Sequence, residues 1–240
     1  MELNVNNQIN TAEKLIHVNA RDDSKFIAVT QSVKRKGTHF LLKRTFDILV
    51  SLVLILLFGP ILIIVTLLIK ITSRGPVLYS KERVGLNGRH FKCHKFRSMV
   101  IDDLEEKRFD HRSAIEHASK GILHKNQRDS RITLVGRIIR KTSIDELPQL
   151  FNVLFGDMSI VGPRPLLPFM LVPYPEFSQL RCLVRPGITG LWQIRDRQNN
   201  TSAEYMMEHD MEYIENFNFF LDLKIIAETP LVVLSGKGAY

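Results

Sequence analysis

The stretch ILVSLVLILLFGPILIIVTLLI, from Ile48 to Ile69, contains no charged side chain. A bilayer span needs about 20 apolar residues, so this segment is long enough to cross one. A buried helix of a globular core is the alternative, and this length without a polar face argues against it. Gly59 and Pro60 fall at its middle. Proline inside a helix removes a backbone bond and clashes with the preceding turn. Each half is then about 11 residues, or ~16 Å at 1.5 Å per residue, roughly half of a ~30 Å hydrocarbon core. Both flanks are basic: Lys34, Arg35, Lys36, Lys43 and Arg44 come before, and Lys70, Arg74, Lys81 and Arg83 after. Positive flanks favour the cytoplasmic side. The sequence therefore predicts a re-entrant helix-break-helix, with Gly59 and Pro60 as the break, entering and leaving through one leaflet. The alternative is a kinked span, because membrane helices tolerate proline.

Chain-wide disorder is excluded by a hydrophobic content of 45% over 240 residues, an ordinary value for a folded protein. A net charge of +8, from 33 basic and 25 acidic residues, suits an anionic partner: nucleic acid, a phosphorylated metabolite or an acidic lipid surface. Cys93 and Cys182 are far apart and in no C-x-x-C spacing. They cannot make a zinc site by themselves, and a reducing cytosolic setting is the simpler reading.

Met1 to about Gly37 is polar and Asn-rich, which predicts a mobile arm with a short helix near Ala12 to Val18. It lacks the apolar core of a signal peptide. After Gly75, Asn87-Gly88 lies between two strand-like runs, a strong hairpin signal. Asp102 to Asp129 reads as a charged helix and a loop. Ile132 to Lys141 reads as an amphipathic helix with Leu134, Val135, Ile138 and Ile139 inward. Leu147 to Phe155 reads as an apolar helix stopped by Gly156, and Tyr205 to Asn216 as an acidic helix. Phe219, Leu223, Ile226 and Val233 keep helical spacing, interrupted at Pro230. That last helix either packs on the core or lies on the membrane surface.

RKTSIDELPQLFNV, Arg140 to Val153, sets Asp145 beside Glu146, although like charges repel. One reading is a capping box, Ser143-x-x-Glu146. Pro148 would then sit too deep in the helix, and moving the cap to Asp145 puts it harmlessly in the first turn. The other reading is a phosphate site. Lys95, Arg97, Arg131, Arg140, Arg164 and Arg185 are the candidate phosphate ligands, since guanidinium forks bind phosphate bidentately. Mg²⁺ takes one or two carboxylates plus phosphate oxygens, so Asp145 is the candidate metal ligand. A carboxylate can also act as a nucleophile. No G-x-x-x-x-G-K-[ST] or G-x-G-x-x-G loop is present, which removes the usual support for a nucleotide-binding fold.

Five ordered blocks carry a resemblance: KRTFDILVSLVLILLFGP, RGPVLYSKERVGLNGRHFKCHKFRSM, DSRITLVGRIIRKTSIDELPQLFNVLFGDMSIVGPRP, RPGITGLWQI and LDLKIIAETPLVVLSGKGAY. From about Lys43 to Tyr240 the chain resembles the bacterial polyprenyl-phosphate sugar-1-phosphate transferases, the monotopic phosphoglycosyl transferases. The resemblance implies transfer of a sugar-1-phosphate from a nucleotide diphosphate-sugar, usually a UDP-sugar, onto undecaprenyl phosphate. Asp145 would be the nucleophile with Mg²⁺ beside it and Glu146 its partner; Arg140 and Arg164 would contact phosphate or nucleotide. Two blocks depart from the family pattern. Ser130 stands where the family commonly has proline, and Arg195-Asp196-Arg197 replaces a frequent Ser-Gly-Arg, which bears on sugar preference.

The expected architecture is α-rich α+β. It comprises a polar arm at 1–38, a membrane-inserted re-entrant helix at 39–74, and a cytoplasmic catalytic domain of helices with one β-hairpin at 75–240. The expected partners are the nucleotide-sugar, undecaprenyl phosphate and the inner membrane, without nucleic acid. A membrane-docked basic protein that binds anionic lipid or nucleic acid without chemistry is the competing reading. It explains the charge and leaves the acidic pair unexplained.

Overall fold

The computed structural model describes residues 26–100, 131–196 and 203–234. The readings at Ala12 to Val18 and Asp102 to Asp129 lie outside them, as does Arg197.

The first described element is a helix, α1, at 26–35, and it shortens the expected arm. Val29 and Val33, one helical turn apart, are both buried in the main core. Lys36 then donates from Nζ to the carbonyls of Glu215 and Phe217.

A single helix, α2, follows over Gly37–Thr72, with Pro60 inside it. The expected division into two helices is not seen. Proline removes the bond to the carbonyl of Leu56, and the leucine- and isoleucine-rich turns on either side continue the helix across that gap. Its apolar side chains are largely bare, with Leu56 78% exposed and Val53, Leu57, Ile64 and Ile71 also exposed. By length and composition the segment His39–Thr72 can cross a membrane.

The other face of α2 lies along the domain. Asp47 is buried, and its Oδ1 accepts from Ser159 Oγ and the Ile160 amide, each at 3.0 Å. Val50, Leu54 and Ile55 pack on the main core with Val153 and Ile160. Beyond Pro60, Val65 and Ile69 are buried against Phe96 and Ile139. Both halves of the helix therefore rest on the same domain.

The hairpin is where the sequence places it. Strands β1 (Leu78–Val84) and β2 (His90–Phe96) pair antiparallel, from Leu78 opposite Phe96 to Val84 opposite His90. Asn87 and Gly88 both take positive φ, 55° and 73°, the conformation that makes Asn-Gly a turn signal. The Asn87 amide docks the turn on the Cys182 carbonyl at 2.7 Å.

Three short helices and a strand come next: α3 (Leu134–Lys141), a 3-10 turn (Ile144–Glu146), α4 (Gln149–Phe155) and β3 (Ser159–Val161). Thr133 caps α3, its hydroxyl accepting from the Gly136 amide at 2.9 Å. The predicted inner face of α3 is only half right. Ile139 and Gly136 are buried, whereas Leu134 and Ile138 are 75% and 59% exposed. Gly136 sets this rotation, because a Cβ there would lie 1.9 Å from the Ser98 carbonyl oxygen. The helix turns its smallest residue, not its leucine, to the domain.

The remaining elements are α5 (Pro168–Leu171), α6 (Pro175–Arg181), β4 (Gly187–Thr189), α7 (Leu191–Asp196), α8 (Ala203–Asn216) and α9 (Phe219–Leu234). Strands β3 and β4 form a parallel pair in addition to the predicted hairpin. The helix α9 continues through Pro230. Its inner face buries Asp222 and Ile225, and its outer face exposes Phe220 and Leu231. Asp222 accepts from Lys43 Nζ at 2.6 Å and from the Tyr213 hydroxyl at 2.8 Å, which ties α9 to α2.

Candidate active site

The acidic pair does not form a capping box. Ser143 takes the left-handed conformation, φ 56° and ψ 15°, and makes no side-chain cap. The Glu146 amide bonds to the Ser143 carbonyl at 3.2 Å instead. Nor does Asp145 cap α4, because that helix begins at Gln149 with Pro148 at the N-cap. Proline is harmless there, since no amide hydrogen is needed. Asp145 and Glu146 therefore sit in their own turn between two helices, both half-buried.

Glu146 has a specific partner across the chain. Its Oε1 accepts from Lys95 Nζ at 2.5 Å, with the two side chains 15% and 25% exposed. The ion pair links the end of β2 to the acidic turn. Arg83 stands on β1, on the same face of the hairpin as Lys95. Burial lowers the pKa of Arg83, the Arg164 charge lowers it further, and Cys93, Tyr79 and Glu146 oppose this. Cys93 is buried and its thiol is pushed up by that burial, so it is a packing residue and not a reactive thiolate.

Arg164 is held from behind. Gly162 and Gly187 bring β3 and β4 into contact: the Gly162 amide donates to the Thr189 carbonyl at 2.9 Å, and the Gly187 amide to the Pro163 carbonyl at 2.8 Å. A Cβ on Gly187 would lie 2.1 Å from the Gly162 nitrogen, so only glycine permits this approach. The Arg164 guanidinium lies over the Trp192 ring, 5.6 Å from its centroid. The Arg164 carbonyl accepts from Arg181, whose Nε bonds buried Asp210 at 3.1 Å. Burial pushes the Asp210 carboxyl up, and the Arg181 guanidinium pulls it back.

The six predicted phosphate ligands divide. Lys95 pairs with Glu146 in the acidic turn, and Arg164 lies over Trp192. Arg97 is 2% exposed, and its terminal nitrogens donate to the carbonyls of Arg74 and Ser73 and to the Ser73 hydroxyl, closing the end of α2. Arg185 Nε donates to the Gly156 carbonyl at 2.8 Å, at the far end of α4 from Asp145. Arg131 is placed by its backbone, its carbonyl accepting from the Val100 amide. Arg140 precedes the acidic turn on α3 and is half-buried, with no hydrogen-bond partner for its guanidinium among the described residues. Arg83 was read only as part of a basic flank. Its position in the hairpin, beside the strand that carries Lys95, was the available signal.

A divalent cation fits this donor set. No group of three or more His, Cys, Asp or Glu side chains comes together among the described residues, so a full protein cage is not offered there. Mg²⁺ asks only for one or two carboxylates and substrate phosphates. The turn offers Asp145, while the Ser143 hydroxyl is buried without a partner among the described residues. These are hard oxygen donors.

Fold and site together define a long apolar helix joined to a domain with a half-buried carboxylate pair, one member of which is ion-paired to Lys95. The chain belongs to the bacterial sugar transferase family, which it matches over residues 38–236. It is 41% identical over 216 residues to the undecaprenyl-phosphate galactose phosphotransferase of Salmonella typhimurium, a match covering 89% of this chain and 44% of that protein. It is 40% identical over 200 residues to the exopolysaccharide production protein ExoY of Rhizobium meliloti, covering 82% of this chain and 88% of the relative. A UDP-glucose:undecaprenyl-phosphate glucose-1-phosphate transferase of Klebsiella pneumoniae is 39% identical over 211 residues, 85% of this chain and 42% of that protein. The chain thus spans less than half the length of the Salmonella and Klebsiella relatives.

Proposed function

We propose that this protein transfers a sugar-1-phosphate from a UDP-sugar to undecaprenyl phosphate and releases UMP. It would act at the cytoplasmic face of the bacterial inner membrane, in exopolysaccharide, capsule or O-antigen type synthesis. The observation that carries the reading is the half-buried carboxylate pair, with Glu146 tied to Lys95. The names of the relatives support the donor and acceptor classes.

In the first step a carboxylate oxygen of Asp145 attacks the sugar-bearing phosphorus. An aspartyl–phosphorus bond forms, the bond to the bridging oxygen breaks, and UMP departs with that oxygen and its charge. In the second step a phosphate oxygen of undecaprenyl phosphate attacks the same phosphorus, and the Asp145 carboxylate leaves. Lys95 holds Glu146 in place. Arg83 and Arg164 would neutralise the diphosphate, an effect that grows as the site excludes water. Mg²⁺, held by Asp145 with help from Ser143, would supply further charge neutralisation.

For the membrane helix the reading is that both ends of α2 face the cytoplasm. Asp47 and Ile69 are separated by about 22 residues, ~33 Å along a straight helix, yet both touch the same domain. A helix crossing perpendicular to the bilayer would carry one of those contacts to the far side. The deciding assay is Mg²⁺-dependent UMP release from a UDP-sugar panel, together with trapping of labelled sugar-phosphate on the protein when the lipid acceptor is withheld. Release without trapping, with intersecting initial-rate lines, overturns the covalent step. No release from any UDP-sugar, with salt-sensitive nucleic-acid or lipid binding, favours the non-catalytic reading.

A further inference from the structure

Asn152 lies inside α4 and is 1% exposed. Asparagine competes with its own backbone for hydrogen bonds and is a poor helix former, so a buried one in a short helix calls for a physical reason. Both ends of its amide are in use. Oδ1 accepts from the His94 amide at 3.0 Å, and Nδ2 donates to the Lys92 carbonyl at 2.8 Å. Nδ2 also reaches the Asp157 carboxylate at 3.3 Å. The Lys92 carbonyl can only accept and the His94 amide can only donate, so the side chain fits one way round. One side chain thus bonds to β2 through residues two apart, as a neighbouring strand would.

This fastening adjoins the acidic turn from both sides. On β2, Lys95 follows His94 directly, and on the other side Glu146 lies in the turn that leads into α4. The strand is therefore joined to the turn and its helix twice, by the Lys95–Glu146 ion pair at 2.5 Å and by the Asn152 amide. The two joints differ in stiffness. Lysine hangs on a flexible four-carbon stem with about 2 kcal/mol of rotamer freedom, so it meets a carboxylate steadily only where that carboxylate is held still. Cys93, Leu150 and Val153 share the main core, but apolar contact is non-directional. It holds α4 against β2 without setting the register. The paired amide bonds set it.

We infer that Asn152 is a positioning residue for the transfer, fixing α4 on β2 so that Lys95 and the Asp145–Glu146 turn stay in register. It acts through that ion pair, from the helix behind the turn. The inference rests on the transfer reading above for what the register serves. Without the amide, the Lys95–Glu146 contact becomes one of many lysine conformers, and the turn shifts with α4. A misplacement of about 1 Å can cost on the order of a hundredfold in rate.

The first measurement is amide exchange on the wild-type full chain in nanodiscs. The His94 amide should exchange as slowly as amides inside α4, and exchange at the rate of an open amide overturns the inference. The second is a kinetic cycle. Asn152→Ala should lower kcat for UMP release about 10- to 100-fold and leave the KM for the UDP-sugar within about twofold. In a Lys95→Met background the same change should lower kcat less than about threefold, because the pair is already broken. The fall in melting temperature should be equal in both backgrounds, since the Lys92 carbonyl and His94 amide are orphaned either way. A packing role alone predicts equal kinetic factors in the two backgrounds, and that result overturns the inference. So does a folded Asn152→Ala protein with wild-type kcat. Asn152→Gln keeps the amide and moves it out by one methylene, so it supplies the same cycle if Asn152→Ala does not fold. A protected His94 amide in wild-type protein that releases no UMP from any UDP-sugar overturns the transfer reading and leaves the fastening in place.

Discussion

The two ends of α4 meet the same kind of cation and use it differently. At the C-terminal end, Arg44 donates to the carbonyls of Val153 and Leu154 at 2.6 and 2.9 Å, and Arg185 donates to that of Gly156. Those carbonyls carry the negative end of the helix dipole, so the guanidiniums complete the helix. Ahead of the N-terminal end, Glu146 pairs with Lys95, while half-buried Arg83 on the hairpin and Arg164 over Trp192 make no hydrogen bond or ion pair through their guanidiniums with any described residue. A half-buried donor without an acceptor is costly. An arginine whose donors meet protein carbonyls is architecture, whereas one whose donors are unmatched in a cleft is equipped for an anionic ligand.

The sharpest way to break this comparison is at the acidic turn. Asp145→Asn keeps the side-chain shape and removes the attacking charge. UMP release should fall at least about a thousandfold, as for loss of a nucleophile, with the melting temperature unchanged. Near-normal turnover by the folded variant would remove the catalytic assignment and leave the turn without a function.

The next test exchanges arginines across the helix. Arg164→Ala should lower kcat/KM by about 10- to 100-fold, matching loss of a charge-assisted contact of ~1.5–3 kcal/mol, with stability little altered. Arg185→Ala should do the reverse: about 1–3 kcal/mol of stability lost through the orphaned Gly156 carbonyl, and turnover per folded molecule retained. Paired denaturation and kinetic measurements decide it, and equal kinetic losses in both variants would erase the distinction. The smallest effect belongs to Gly156, which ends α4 at φ 96°. Gly156→Ala should cost about 1 kcal/mol in urea unfolding and leave the KM values unmoved. A kinetic effect would mean that the two ends are coupled.

These tests also mark where the sequence was readable. The hairpin and the stop of α4 were legible because Asn-Gly and a post-helical Gly encode a backbone conformation locally. The acidic turn was misread as structure, since neither Ser143 nor Asp145 caps a helix. Ser143 turns left-handed instead of capping. The contact of α3 with Ser98, distant in sequence and made through Gly136, turned Leu134 and Ile138 outward against their periodicity. The pairing of β3 with β4 rests on strands of three residues each, too short for an alternation signal. Six basic residues could be nominated as ligands from their type. Only the fold shows that Arg97 and Arg185 bind backbone carbonyls and that Lys95 pairs with Glu146.

The contact of both halves of α2 with one domain makes hydrophobic thickness a variable of the chemistry. The helix cannot tilt or sink to match a bilayer without carrying Lys95, Asp145 and Arg164 with it. In the proposed transfer the lipid phosphate would stay at the headgroup level and so rise or fall relative to the site as the acyl chains lengthen. Mismatch is ordinarily absorbed at fractions of a kcal/mol per Å by helix tilt and bilayer deformation. On that proposal it becomes a vertical offset between Asp145 and the acceptor, and acceptor use should pass through an optimum across bilayers of graded acyl length.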